Sequence, residues 1–192
     1  PDGAATIDSG LYKGVEEGLE TLWKKGAKNI VYLAEPLKKR DLQKDIRFLA
    51  FQEVGKRHGL TDEKILEQTF IGFNEDLWQE EFAKYLANNR QVDAIFARND
   101  RLAATASQIA QTLGRKIPDD IMILGVDNSS ISRLITPSIT TIEQQKEEMS
   151  KAAIELIESM NQGAKNGTLQ RQETEKVFTT KLIERDSTNR LG

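Results

Sequence analysis

Short apolar runs separated by stretches with helical spacing constrain this chain more than any other feature it has. The runs are Asn29-Ile30-Val31-Tyr32-Leu33, Thr69-Phe70-Ile71-Gly72, Ala94-Ile95-Phe96-Ala97, Met122-Ile123-Leu124-Gly125-Val126 and Ile139-Thr140-Thr141-Ile142. The first is β-branched and does not alternate with polar residues, which points to a strand buried on both faces, as in a parallel sheet. Between the runs lie helical stripes. Leu11, Val15, Leu19 and Leu22 share one face of a helix from Gly10 to Lys25, with Ser9 able to cap its start and Gly26 to take the left-handed position after its end. Leu42, Ile46, Leu49, Ala50 and Val54 form the next stripe, closed by Gly59. Trp78, Phe82, Tyr85 and Leu86 mark a third, fraying at Asn88-Asn89, and Leu102, Ala106, Ile109, Ala110 and Leu113 a fourth, closed by Gly114 and Pro118. After the fifth run come the stripe Met149, Ala152, Leu156 and Met160, a polar loop, and a last strand from Lys176 to Ile183. Strands alternating with helices are βα units, so the predicted fold class is α/β: a doubly wound, mostly parallel sheet in three αβα layers.

Two features depart from the simplest version of that fold. The chain opens on a helix instead of a strand, and Pro137 to Ile142 has the look of an extended crossing segment.

Composition narrows the chemistry. Among 192 residues there is no cysteine and a single histidine, His58, so a thiolate nucleophile, a disulfide framework and a His/Cys metal cluster are all excluded. Lys and Arg are balanced by Asp and Glu to a net charge of −3, without the basic stripe that holds nucleic-acid phosphates. The mean hydropathy is −0.52, and no apolar run approaches the ~20 residues of a membrane span. Pro1-Asp2-Gly3-Ala4 has neither the charge nor the apolar stretch of a signal peptide. No G-x-G-x-x-G, G-x-x-x-x-G-K-[ST] or G-x-S-x-G occurs, which disfavours a dinucleotide, a nucleoside triphosphate or a serine-nucleophile mechanism. The expectation is a binding protein, not an enzyme, with no cofactor and no metal.

In an open α/β sheet, ligands bind beyond the carboxyl ends of the strands. The residues there are polar: Arg98, Asn99 and Asp100 after the third run, and Asp127, Asn128, Ser129 and Ser130 after the fourth. A carboxylate and an amide, Asp127 and Asn99, suit a neutral polyol, because one accepts from vicinal hydroxyls and the other both donates and accepts. On position alone a capping role is as good for Asp127 and better for Asp100. Arg47, between Ile46 and Phe48, has by position the default reading of a surface arginine. His58 lies beside Lys56 and Arg57 as a cation at a helix C-terminus. Trp78 fits its helix stripe and belongs to the core, whereas Phe73 lies off it and is the aromatic candidate for the crevice.

Three ordered segments carry a resemblance. Pro118-Asp119-Asp120-Ile121-Met122-Ile123-Leu124-Gly125-Val126-Asp127-Asn128, Pro137-Ser138-Ile139-Thr140-Thr141-Ile142-Glu143-Gln144 and Leu182-Ile183-Glu184-Arg185-Asp186-Ser187-Thr188 resemble the lactose/galactose-repressor family of bacterial transcription regulators. Ala94 to Asp100 is similar to that family's strand ending in an Asn-Asp pair. The resemblance implies a periplasmic-binding-protein-like type I lobe in the effector-binding core of a cytoplasmic, homodimeric regulator. Its partner would be a small effector, a sugar or sugar phosphate. Operator DNA would be met only through an N-terminal domain absent here, and no membrane is involved. It also implies that residues 1–138 and 171–192 form the C-terminal lobe, and that 139–170 is an excursion into the otherwise missing N-terminal lobe, leaving the Met149-to-Met160 stripe facing water. By position, effector contacts fall on Arg47, Asn99, Asp127 and Gln144, with Phe73 as the ring against the ligand. The family's Arg-x-x-Gly-Phe stands here as Arg47-Phe48-Leu49-Ala50-Phe51, with Ala50 in place of glycine. The alternative within the fold is a transporter's periplasmic sugar-binding protein.

Overall fold

The computed structural model describes residues 6–35, 42–72, 77–165 and 175–190. Its first half runs β1 (Thr6–Asp8), α1 (Leu11–Lys24), β2 (Ile30–Ala34), α2 (Ile46–Arg57), α3 (Asp62–Glu67), β3 (Thr69–Ile71) and α4 (Trp78–Asn88). There follow β4 (Ala94–Ala97), α5 (Asp100–Thr112), β5 (Met122–Val126), α6 (Ser130–Leu134), β6 (Thr140–Gln144), α7 (Lys146–Lys165), β7 (Glu175–Val177), β8 (Thr180–Ile183) and a 3-10 turn at Asp186–Thr188.

The main sheet has six strands in the order β3-β2-β4-β5-β6-β8, parallel throughout except for β8, which runs antiparallel to β6. Every residue of β2, β4 and β5 is buried, as the unbroken apolar runs require. The pleat then sorts the side chains. Ile30 and Tyr32 face one layer, against Val15, Leu19 and Leu22 of α1 and Phe48, Phe51 and Val54 of α2. Val31 and Leu33 face the other, against Phe82 and Leu86 of α4 and Leu102, Ala106 and Ala110 of α5. The expected three-layer, mostly parallel α/β fold is therefore present.

Helix α1 can lie close on the sheet because it lacks side chains where it crosses. A Cβ on Gly14 would come within 2.0 Å of Thr180 Oγ1, and one on Gly18 within 2.9 Å of Leu124 Cδ2.

Several details differ from the sequence reading. Helix α2 buries Phe48 and Phe51, while Leu49, assigned to its stripe, is 37% exposed. Helix α3, capped by the Thr61 side chain accepting from the Lys64 N–H, and α6 are short and lack enough periodic residues to announce themselves. Pro137 to Ile142 leads into an inner strand: β6 lies between β5 and β8, so residues 140–144, expected in the excursion, belong to this sheet. The last strand is two. β7 pairs with β1 in a separate parallel ribbon, and β8 joins the main sheet. In α7 the stripe expected to face water is partly covered: Ala152 is buried, and among the described residues of the helix the exposed large apolar side chains are Ile154 and Ile157. Trp78 packs against the core, as expected.

Candidate functional site

Strand order reverses at β2: the chain passes from β2 outward to β3 and then returns to β4 on the other side. Such a reversal opens a crevice beyond the carboxyl ends of the two strands that flank it. The tripeptide Arg98-Asn99-Asp100, leaving β4, sits at that edge and sends three consecutive side chains in three directions.

Arg98 turns toward β2. Its Nε donates to Asp45 Oδ2 at 2.5 Å and its Nη1 lies 3.4 Å from Glu35 Oε2, while Arg101 pairs with the other oxygen of Glu35. Asp45 caps α2, accepting from the Arg47 N–H at 3.0 Å, and also receives the Tyr32 hydroxyl at 3.2 Å. Burial pushes the Asp45 carboxyl up, but the Arg98 hydrogen bond, the Arg47 N–H and both guanidinium charges outweigh it and hold the group below the usual carboxylate range. Burial likewise drives the Tyr32 phenol well above its ordinary value, with the Asp45 charge adding to the effect. Arg47 Nη1 stands 3.6 Å from Asp45 Oδ1, and its Nε is buried without a hydrogen-bond partner among the described residues.

Asn99 turns along its own helix. Its Oδ1 accepts from the Leu102 N–H at 2.9 Å, so Asn99, and not Asp100, is the cap of α5. The Nδ2 group makes no bond among the described residues, so capping leaves the amide a donor for a ligand.

Asp100 turns toward β5 and β6 and is only 1% exposed. One carboxylate oxygen accepts from Thr141 Oγ1 at 2.5 Å, the other from the Ser129 N–H at 2.7 Å and the Ser129 hydroxyl at 3.0 Å. Burial raises its pKa in spite of those donors. This clamp holds the turn after β5, where Asp127 (φ 108°) and Asn128 (φ 47°) both adopt left-handed backbone that Asp and Asn tolerate better than most residues. The Asn128 N–H is received by Thr141 Oγ1 at 3.2 Å, its Nδ2 donates to Glu143, and its Oδ1 accepts from Arg185.

The turn aims Asp127 across the end of β6. Asp127 Oδ1 accepts from Gln144 Nε2 at 3.0 Å and from Lys146 Nζ at 2.9 Å, and its Oδ2 has no hydrogen bond among the described residues. Of the residues singled out from the sequence, Asp127 and Gln144 touch, Asn99 stands on the same edge, and Arg47 lies in the separate Asp45 cluster beyond Arg98. Phe73 falls outside the described residues. Sequence reasoning missed Asp45 and Lys146, and placed Arg98 at the strand end without giving it a role: Asp45 precedes a helix as any cap does, and the two cations carry no spacing signal. His58 is the C-cap of α2, at the helix end as expected, bonded to Glu20 at 3.0 Å and stacked on Trp23. Among the described residues there is no group of three or more acidic, His or Cys side chains fit to hold a metal ion, and no helix is long and apolar enough to cross a membrane.

Comparison with known proteins gives a consistent picture. The model of the periplasmic binding protein-like domain family matches residues 19–188. The transcriptional regulator DegA of Bacillus subtilis is 32% identical over 147 residues, covering 76% of this chain and 41% of DegA. The regulator MalR of Clostridium butyricum is 33% identical over 115 residues, covering 60% of this chain and 32% of MalR. The chain thus spans well under half the length of these relatives. Among solved structures, a periplasmic binding protein/LacI transcriptional regulator of Alkaliphilus metalliredigens, complexed with D-xylulofuranose, superposes with a TM-score of 0.73 at 27% identity, over 97% of this chain and 66% of that one. A LacI-family regulator structure from Sanguibacter keddieii, at 22% identity and a TM-score of 0.82, shares the fold over 98% of this chain and 70% of its own.

Proposed function

Because this chain belongs to the periplasmic binding protein-like domain family, we propose that it serves a LacI-type bacterial transcription regulator as effector-binding core, taking a sugar or related polyol at the carboxyl edge of its sheet. The observation that carries this reading is the Asp127–Gln144 pair, where a carboxylate held by an amide keeps one oxygen without a partner among the described residues, on the same sheet edge as Asn99. Vicinal hydroxyls are matched by such an array, since each donates to a carboxylate oxygen and accepts from an amide N–H. The effector contacts are Arg47, Asn99, Asp127 and Gln144, with Phe73 as the aromatic face. No bond is made or broken.

The same reading makes the six-stranded unit one wall of a two-lobed core, with the chain leaving after β6 through α7 and returning by β7. Support comes from α7, tied to β7 by Glu155–Lys176 at 3.1 Å with Ile154 and Ile157 exposed, and from the β1–β7 ribbon, which stands apart from the main sheet. A ligand contacting both lobes prefers one lobe orientation and thereby changes the affinity of the paired DNA-binding domains for operator, a population shift. Gln144 and Lys146, at the exit from β6, sit where ligand and lobe orientation meet. The regulator works as a cytoplasmic homodimer.

The test is an amide NMR titration with mono- and disaccharides and their phosphates at millimolar concentration. Saturable shifts at Asn99, Asp127 and Gln144 are expected, and Asp127→Ala should weaken binding by about tenfold or more, the loss of one or two charge-assisted hydrogen bonds. Saturable shifts confined to other surfaces would refute the assignment.

A further inference from the structure

Arg185 stands in the Leu182-to-Thr188 segment, two residues beyond β8, and is half-buried. Its guanidinium bridges three elements. Nη1 donates to the Ile139 carbonyl at 2.8 Å and to Ser132 Oγ of α6 at 3.2 Å, and Nη2 donates to Asn128 Oδ1 at 2.6 Å, across 57 residues of sequence. The segment that carries Arg185 is held without that side chain. Ser187 Oγ is bonded to the Thr140 N–H and the Ile123 carbonyl, the Thr188 and Thr140 hydroxyls meet at 2.7 Å, and Asp186 receives the Ser138 hydroxyl at 2.7 Å. The Arg185 backbone N–H itself donates to Thr140 Oγ1 at 2.9 Å.

The turn it reaches is the part of the molecule that needs holding. Asp127 and Asn128 are consecutive residues with positive φ, a backbone that persists only where the surroundings impose it. The Asp100 clamp fixes the Ser129 end of this turn, and Thr141 Oγ1 receives the Asn128 N–H. The Asn128 side chain is gripped at both ends of its amide, with Nδ2 donating to Glu143 Oε1 at 2.6 Å and Oδ1 accepting from Arg185. A planar guanidinium suits that task, because it meets several acceptors in fixed directions at once, which the single ammonium of a lysine does not.

Building on the effector reading above, we propose that Arg185 is a positioning residue for the crevice: by holding the Asn128 amide it keeps the turn left-handed and Asp127 aimed across the end of β6. It touches no ligand. Without it the turn spreads over other backbone conformations, and a ligand binds only the fraction that still presents Asp127, so its apparent affinity falls by that fraction.

Amide NMR of the chain, alone and titrated with ribose, glucose and cellobiose, tests this. The Asp127 backbone amide and the Gln144 side-chain amide, which donates to Asp127, report the aim of the carboxylate. Arg185→Lys should shift both signals and weaken whichever sugar binds the parent by about fivefold, the worth of one hydrogen bond. Adding Asn128→Gly to Arg185→Lys should return both signals toward the parent positions and recover most of the affinity, because glycine adopts positive φ without strain. A purely structural role predicts the reverse, further loss with each hydrogen bond removed. Circular dichroism and melting curves report whether each variant is folded. Asn128→Ala and Asn128→Gly in the parent make the same comparison without touching Arg185: alanine should displace the Asp127 and Gln144 signals and glycine leave them near their places. Unmoved signals and unchanged affinity in Arg185→Lys overturn the proposal and leave the effector reading standing, as does a failure of Asn128→Gly to restore them. Equal behaviour of the alanine and glycine variants overturns it too. If none of the sugars binds the parent, that counts against the effector reading, and the ligand-free signals still decide the role of Arg185.

Discussion

Replacing Asp100 with alanine should be among the most damaging single changes at the crevice. The carboxylate is the common acceptor for Thr141 Oγ1 in β6 and for the Ser129 N–H and hydroxyl after β5, at 2.5, 2.7 and 3.0 Å. Thr141 is fully buried, so its hydroxyl proton has no water to turn to, whereas the half-buried Ser129 hydroxyl can rotate outward. Two donors, the Thr141 O–H and the Ser129 N–H, are thus left wanting an acceptor, at about 1–3 kcal/mol each. Removing a buried carboxylate returns part of that as relieved desolvation, and we expect a net loss of about 3 kcal/mol. That is a fall in melting temperature of roughly 6–12 °C for a chain of this size. Asp100→Asn keeps an oxygen for Ser129 but turns an N–H toward Thr141 Oγ1, whose own proton still lacks an acceptor, so it should recover the Ser129 part alone and cost about 1–3 kcal/mol. The pH dependence follows from the raised folded-state pKa. The folded protein holds the Asp100 proton more tightly than the unfolded chain does, so stability from this group is greatest below the ordinary carboxylate pKa. It declines as pH climbs from there through the folded value. Urea denaturation followed by circular dichroism between pH 3 and about 7 measures both effects, with Asp100→Asn expected to lose this group's declining contribution. An Asp100→Ala chain within about 0.5 kcal/mol of the parent would refute the clamp, because substitutions away from a buried polar network fall in that range.

Other consequences can be measured in the same way. Ser187 is fully buried, accepts from the Thr140 N–H at 2.8 Å and donates to the Ile123 carbonyl at 2.6 Å, so Ser187→Ala should cost about 2–4 kcal/mol in urea denaturation by orphaning both backbone groups. Gly10 has φ 66°, and a Cβ there would lie 2.2 Å from the Phe178 carbonyl oxygen; Gly10→Ala should lower stability by about 1–3 kcal/mol and increase hydrogen exchange at Phe178, whose N–H bonds Asp8 in the β1–β7 ribbon. Tyr32→Phe removes one of the donors to Asp45 and should cost about 1 kcal/mol, visible as a lower urea midpoint.

What the sequence determined by itself is the part of the structure written in local periodicity. Unbroken apolar runs such as Ile30 to Leu33 and Met122 to Val126 can be satisfied only with both faces covered, and the helical stripes between them supply the cover, so sheet, layers and carboxyl-edge crevice follow from spacing alone. The polar residues after β4 and β5 were legible because strand ends position ligands in this architecture. Tertiary structure decided the rest, since it depends on which distant groups meet. Asn99 and Asp100 are adjacent and both suited to capping, yet Asn99 caps α5 while Asp100 is drawn under the β5 turn by Thr141 and Ser129, the latter 29 residues away. Leu49 satisfied the helical spacing but lost the core to Phe48 and Phe51, whose rings pack on Tyr32 of the sheet. Residues 140–144 read as a crossing until the open edge of β5 gave them a ladder to join. Arg98 and Asp45 carry no motif, and the motif around Arg47 says nothing of which groups it meets. Their association exists only because the strand reversal brings the ends of β2 and β4 together, which no window of sequence contains.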